Sequence, residues 1–457
     1  MTAKYNVNPD KVSWNGVLFG FAQIGQPEKC TELFQRMVRM SLFDPCCKPD
    51  TALFNVLLLS HANSDAREAP IHAEELLDHM ERLNKAGNTD VVPDAYTYSA
   101  IVKVWSQSNR PDAGIRAKSW LQKMEDLGEI DWAIKPDAVT YTFALTALAK
   151  CKSLACLATA QEAMDIFNRM IRRFHDGDES CQPTSAGFTA VISCWAFVSD
   201  HGDTDPDPCD VVLNLLSTMI QWADRDGLPT APTARTYTSV LKTLSNKTDR
   251  ESILVARQQL KEMEAHFRGG RKDVQPTTIH FNVVLDHVAK SSLEDKVDYA
   301  QDILEEMIGL DRDTALPNII TFNSILRVCA NTFGRPEHRN KAISLAEQTL
   351  HTILHHPDLE PSSRTIVFFL KAVRRHTTKT DPRRYRAFES SIDFARRDGL
   401  LNEHILKQIE LGLDDEERSR LLSSDSPTIP LRLIDQPIGW SHSDVPKPSS
   451  PSLSPSP

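Results

Sequence analysis

No apolar run in this 457-residue chain approaches the roughly 20 residues that a membrane-spanning helix needs, which sets spanning aside. Catalytic signatures are missing too: there is no GxxxxGK[ST] to cradle phosphate, no HExxH and no GxSxG. Nine cysteines (Cys30, Cys46, Cys47, Cys151, Cys156, Cys181, Cys194, Cys209, Cys329) form no CxxC pair and mostly stand in apolar helical contexts, as buried thiols of a reducing compartment do. Positive charge is short. The 52 Lys and Arg against 62 Asp and Glu leave a net charge of −10, a balance unfavourable to phosphate binding unless cations are placed locally. The opening MTAKYNVNPD has neither an apolar signal core nor an Arg/Ser-rich leader, so no cellular address is readable. Asp200, Asp203, Asp205, Asp207 and Asp210 cluster, but Pro206 and Pro208 interrupt them and the mid-loop Gly of a calcium hand is absent; a solvated insertion loop is expected. His351, His355 and His356 have helical ligand spacing without a third convincing ligand, so neither a metal nor any other cofactor is expected.

What the chain does have is a period. Seven of its ten methionines, Met37, Met80, Met124, Met170, Met219, Met263 and Met307, follow one another at intervals of 43, 44, 46, 49, 44 and 44 residues. Each ends a helical phrase of the form small, x, x, apolar, apolar, x, x, Met, as in Ala163 to Met170 and Ala300 to Met307. Upstream of each lies a second phrase opening on an aromatic residue: Trp14, Phe54, Tyr98, Tyr141, Phe188, Tyr237 and Phe281, with Phe322 opening an eighth. From that aromatic, apolar residues recur at i+3, i+4, i+7 and i+8, as in Phe281, Val284, Leu285, Val288 and Ala289, the pattern of one buried helical face. The last position is repeatedly small (Ala22, Ala62, Ala149, Ala196, Ala289, Ala330), which admits a closely packed neighbour. Between repeats stand a proline and then a short polar residue: Pro49-Asp50, Pro93-Asp94, Pro136-Asp137, Pro183-Thr184, Pro232-Thr233, Pro276-Thr277, Pro317-Asn318 and Pro361-Ser362. The proline stops one repeat and the polar residue suits the cap of the next helix.

Two helices cannot bury their own apolar faces, so such repeats are stable only when stacked. The expected fold is all-α, a right-handed superhelical solenoid of helix-turn-helix repeats. The boundaries read as 11–50, 51–94, 95–137, 138–184, 185–233, 234–277, 278–318, 319–362 and 363–401. Asn8-Pro9-Asp10 reads as the end of a preceding, truncated repeat in 1–10. A capping helix over 402–422 and a disordered Ser/Pro-rich tail over 423–457 complete the chain.

Phrases such as Thr140-Tyr141-Thr142, Thr321-Phe322-Asn323 and Lys135-Pro136-Asp137 resemble the pentatricopeptide repeat family over roughly residues 5 to 401. The first repeat keeps the family's aromatic-to-methionine distance, 23 residues from Trp14 to Met37, while later repeats lengthen it to between 26 and 31. The extra residues are expected in loops and helix ends. Proteinaceous ribonuclease P joins similar repeats to a zinc-stapled nuclease domain, for which the 56 residues after position 401 leave no room. No enzyme activity is expected of this sequence.

The residue after each aromatic lies off the buried stripe, and the residue four further on shares its face. The first set, Asn15, Asn55, Ser99, Thr142, Thr189, Thr238, Asn282 and Asn323, carries short amides and hydroxyls able to address a base edge. The second includes Lys103, Lys242, Arg327 and Lys371, cations on the same face. By the resemblance, the residue after the aromatic and the one after the closing proline together select one base of single-stranded RNA. Asn15/Asp50 and Asn55/Asp94 then imply U, Ser99/Asp137 implies G, Asn282/Asn318 a pyrimidine and Asn323/Ser362 C. Thr142/Thr184, Thr189/Thr233 and Thr238/Thr277 have no assignment. The family sandwiches bases with an aliphatic residue two before the aromatic, here Val12, Val139, Ile279 and Ile320; Ala52, Tyr96, Ala186 and Arg235 depart from that.

The ninth repeat has Ile366 and Val367 where an aromatic and a reader would stand, so base reading is expected to stop there. The stretch from Lys371 to Arg386 contains Lys371, Arg374, Arg375, Lys379, Arg383, Arg384 and Arg386 against the single acid Asp381, and Lys371, Arg374 and Arg375 are candidates to grip RNA backbone. The resemblance implies a monomer acting in mitochondrial or plastid RNA processing, stability or translation, off the membrane, with protein partners supplying any catalysis. The competing class is a protein-binding scaffold of the tetratricopeptide type, which uses the same hairpin physics and suits an acidic chain. A short polar reader in each of the first eight repeats argues for RNA.

Overall fold

The computed structural model describes residues 11–44, 47–151, 157–198, 206–310 and 313–422. The expected repeat end at 1–10, the tail at 423–457, Cys46, Cys156, Asp200, Asp203 and Asp205 lie outside them. Helices fall into two compact bodies, one up to Pro232 and one from Thr233. Among the described residues there is no strand, and no helix is long and apolar enough to cross a membrane.

The first body contains α1 (Lys11–Gln23), α2 (Pro27–Ser41), α3 (Thr51–Ala62), α4 (Ala69–Lys85), α5 (Ala95–Gln107), α6 (Ala113–Ile130), α7 (Ala138–Lys150), α8 (Leu157–His175), α9 (Ser185–Trp195) and α10 (Pro208–Arg225). The second contains α11 (Ala234–Leu244), α12 (Arg250–Arg268), α13 (Thr278–Lys290), α14 (Lys296–Gly309), α15 (Ile319–Asn331), α16 (Pro336–His355), α17 (Ser363–His376), α18 (Pro382–Arg397), α19 (Glu403–Gly412) and α20 (Asp415–Leu422). Odd-numbered helices carry the aromatic phrase up to α15 and even-numbered ones the methionine phrase up to α14. The 402–422 segment forms two helices where one was expected. Gly412 is the last residue of the first of them, and a Cβ added there would lie 2.3 Å from the Phe388 ring.

The periodic residues are the core. Phe54, Tyr141, Phe188, Tyr237 and Phe281 are buried, as are all seven periodic methionines. Each odd helix packs on its own even helix and on the next odd helix of its body, so every apolar stripe is covered from two sides. Of the small residues ending the stripe, Ala22, Ala62, Ala289 and Ala330 are buried, whereas Ala149 and Ala196 are half-buried. Buried apolar area supplies the stabilisation. Added residues between repeats form single 3-10 turns at 132–134, 179–181, 272–274 and 313–315, ahead of the closing proline. The seven described cysteines are all buried.

Helix C-termini leave carbonyls without intrahelical partners. Side chains from the next odd helix supply them: Asn63 Nδ2 donates to the Ala22 carbonyl at 3.0 Å, Lys150 Nζ to Ser106 at 2.7 Å, Asn331 Nδ2 to Ala289 at 3.0 Å and Arg375 Nη1 to Ala330 at 3.0 Å. Gly25, at φ +66°, makes the turn between α1 and α2 where the Asn63 carbonyl would lie 2.2 Å from a Cβ.

The even helices of consecutive hairpins are joined by ion pairs. Glu74–Arg116, Glu81–Lys123, Glu125–Arg169 and Lys118–Glu162 run through the first body, and Arg257–Asp302 and Asp298–Lys341 through the second. Such partly exposed pairs are each worth at most about 1 kcal/mol.

Candidate nucleic-acid interface

The residue after each closing proline is the N-cap of the next odd helix. Asp50 accepts from the Leu53 amide, Asp94 from Thr97, Asp137 from Thr140, Thr184 from Gly187, Thr233 from Thr236 and Asn318 from Thr321. Thr277 and Ser362 complete capping boxes with His280 and Thr365. These side chains hold up the helix end first, since a short acceptor there satisfies amides that the helix cannot.

Readers and caps are brought together within each body. Asn55 Nδ2 donates to the Asp94 carboxylate at 3.2 Å, and Asn282 Nδ2 reaches Asn318 Oδ1 at 3.4 Å. Ser99 meets Asp137 through Thr140, whose hydroxyl lies 2.9 Å from Ser99 Oγ and 2.7 Å from Asp137 Oδ1. Thr97 bridges in the same way, 2.8 Å from both Asn55 Oδ1 and Asp94 Oδ1. His280 links Thr238 at 3.1 Å to Thr277 at 3.0 Å. Asp50 is instead neutralised by Lys11 at 2.5 Å.

The bridging residue stands directly before the buried aromatic, and sequence reasoning missed it. Its signal was visible: threonine recurs there at Thr97, Thr140, Thr236 and Thr321, and Thr365 precedes Ile366 in the same way. In the fifth hairpin the position is Gly187, where a Cβ would lie 3.5 Å from Thr142 Oγ1, and the Thr142/Thr184 pair has no bridge from it.

Readers differ in what they leave open. Thr142, Thr189 and Thr238 donate their hydroxyl protons to carbonyls one turn back, those of Ala138, Ser185 and Ala234, at 2.7, 2.7 and 2.9 Å. The Oδ1 atoms of Asn15, Asn282 and Asn323 are screened from solvent and accept no hydrogen bond from the described residues. Asn55 and Thr189 are buried and the other readers half-buried, so the set lies recessed between helices. Thr189 belongs to the first body and Thr233 to the second.

Around the readers, the residues two before the aromatic all face solvent. Val12, Val139, Ile279 and Ile320 are 77%, 52%, 61% and 58% exposed, and Ala52, Tyr96, Ala186 and Arg235 are exposed too. Single exposed apolar side chains are ordinary on a protein surface; here they recur at one position of the repeat.

The cations divide. Lys242 is exposed and Lys103 half-buried, and neither has an ion-pair partner among the described residues. Arg327 pairs with Asp286, Lys371 donates to Asn331 Oδ1 at 3.0 Å and Arg375 to the Ala330 carbonyl at 3.0 Å. Arg374 Nε is screened from solvent without a partner among the described residues. Burial, helped by Arg375, Arg374 and Arg327, pushes the Lys371 ammonium below its ordinary pKa, so cations are crowded here. Further along the basic stretch Arg383 pairs with Asp381, while Arg384 is buried and donates to the carbonyls of Gly412 and Thr377. The rings of His351 and His355 stack at 4.0 Å, and no cluster of three metal-binding side chains occurs among the described residues.

A family model described as PPR repeat matches residues 12–42. A pentatricopeptide repeat-containing protein of Arabidopsis thaliana is 24% identical over 226 residues, covering 48% of this chain and 35% of that protein. The crystal structure of the pentatricopeptide repeat protein PPR10 from maize is similar with a TM-score of 0.42 at 17% identity, covering 90% of this chain and 55% of that one. The match thus spans about a third of the curated relative's length.

Proposed function

We propose that this chain, which belongs to the pentatricopeptide repeat family, binds single-stranded RNA through its odd helices, one nucleotide to each reader and cap, without a catalytic step of its own. The observation that carries the reading is the Asn55, Thr97 and Asp94 cluster. A reader and the cap that closes its repeat, 39 residues apart in sequence, share one hydrogen-bonded group. One Asn55 amide oxygen accepts from Thr97 and one amide hydrogen goes to Asp94, which leaves a second amide hydrogen for a base acceptor. Beside each such group an exposed apolar or aromatic side chain stands where a base could rest, as Tyr96 and Val139 do.

The proposed preferences are U at Asn15/Asp50 and Asn55/Asp94, G at Ser99/Asp137, a pyrimidine at Asn282/Asn318 and C at Asn323/Ser362. Lys103, Lys242, Lys371, Arg374 and Arg375 would meet phosphates, and Arg327 would do so by leaving Asp286. The biological setting we propose is RNA processing, stability or translation in a mitochondrion or plastid. Binding of a labelled random single-stranded RNA, titrated at low and at high salt, tests the reading. Salt-sensitive binding that double-stranded RNA does not compete supports it, and no binding at low salt overturns it.

A further inference from the structure

Where four odd helices carry threonine before the aromatic, α13 carries His280. The ring is 2% exposed and lies between two hairpins of the second body. Its Nδ1 accepts from the Thr277 backbone amide at 3.1 Å and lies 3.0 Å from the Thr277 hydroxyl oxygen. Its Nε2 lies 2.8 Å from the Ala234 carbonyl and 3.1 Å from Thr238 Oγ1.

Proton placement follows from the partners. A backbone amide can only donate, so Nδ1 is unprotonated and the neutral ring carries its hydrogen on Nε2. That hydrogen points at the Ala234 carbonyl and the Thr238 oxygen beside it. The Thr238 hydroxyl proton goes to the same carbonyl at 2.9 Å. Thr238 therefore has no hydrogen left for a ligand, and its oxygen offers only lone pairs. Burial pushes the imidazole below its ordinary pKa, with the backbone contacts at Ala234 and Thr277 pushing partly back, which agrees with a neutral ring.

We propose that His280 is a positioning residue for the reader of the sixth hairpin, holding Thr238 as a pure acceptor, so that this hairpin selects a base with an exocyclic amino group and disfavours uracil. The proposal rests on the RNA-binding reading above and gives it content at a Thr238/Thr277 pair that the family resemblance leaves unassigned. A threonine at 280 is expected to serve in the same way, because Thr140 makes the equivalent contact with Ser99 at 2.9 Å. A valine fills similar space but has no hydroxyl.

The test is selection from a randomised single-stranded RNA pool with full-length wild type, His280→Thr, His280→Val, Thr238→Val and the His280→Val/Thr238→Val double variant, with base frequencies read at each position. Wild type and His280→Thr are expected to deplete uracil roughly fivefold at one position, a modest effect for a base-edge hydrogen bond. His280→Val and Thr238→Val should flatten that position alone, and the double variant should flatten it no further. The assignment is overturned if His280→Val weakens every position equally, as a merely structural residue would, or leaves the uracil depletion intact. Enrichment at other positions combined with either result defeats this assignment alone; no enrichment for wild type anywhere defeats RNA binding as well.

Discussion

The two bodies use one backbone plan with different chemistry. In the first, three of the four caps that follow a closing proline are carboxylates, Asp50, Asp94 and Asp137, and Lys103 is the lone candidate phosphate cation. In the second, the caps Thr233, Thr277, Asn318 and Ser362 are all uncharged, and Lys242, Arg327, Lys371, Arg374 and Arg375 stand on or beside the reader face. Among the described residues the histidines follow the same division: His61 alone is held below its ordinary pKa in the first body, against His280, His287 and the half-buried His376 in the second. Cap geometry is thus independent of cap charge. The scaffold needs a short acceptor after each proline, and whether that acceptor is anionic remains open for recognition.

Acid should separate the bodies most strongly. Burial lowers both His61 and His287 to about 4. With folded pKa values below the unfolded value of 6.5, stability is complete above that value and is lost as pH falls from 6.5 towards 4, by on the order of 3 kcal/mol for each such histidine. The second body, with three lowered histidines, should lose hydrogen-exchange protection first. The carboxylates held low, Asp112 and Asp178 in the first body and Asp249 and Asp381 in the second, act only below their usual range near 3.8, while burial holds Glu347 and Glu389 of the second body above theirs and offsets part of the effect. Simultaneous loss of protection in both bodies on titration from pH 7 to 4.5 would contradict this.

A smaller effect is expected from Asp94→Ala, which removes the acceptor of both the Thr97 amide and the Asn55 side chain. It should cost about 1 to 2 kcal/mol in chemical denaturation and erase base preference at one position. Asp94→Asn keeps an acceptor, so it should restore most of the stability without restoring uridine. Smaller still, Lys242→Ala should weaken RNA binding a few-fold and reduce the slope of log affinity against log salt by about 0.7, one single-strand phosphate contact. Arg327→Ala should change that slope less, because Asp286 already engages the guanidinium; an equal change would show that the pair opens on RNA.

The period, the hairpins and their buried faces were legible because burial repeats: one aromatic, one methionine and one proline mark each of the first seven repeats whatever lies between. The caps were legible for the same reason. Less legible was how far each reader is already used. That Thr142, Thr189 and Thr238 spend their protons on their own helices depends on side-chain rotamers, which spacing does not encode. Nor does spacing show that Arg384, inside a basic stretch, holds two carbonyls in the interior, or that 402–422 breaks where Gly412 meets Phe388. Thr97, Thr140 and His280 were in plain view, but a residue beside a buried aromatic reads as core until its hydrogen bonds are seen.

The central claim is that a reader and the following cap act together on one base. Its most direct test is selection from a randomised RNA pool by wild type and Asn55→Ser. Wild type should enrich two adjacent uridines next to a guanosine, and the variant should exchange one of those uridines for guanosine with neighbouring positions unchanged. Loss of enrichment across all positions, or no change at any, would contradict it.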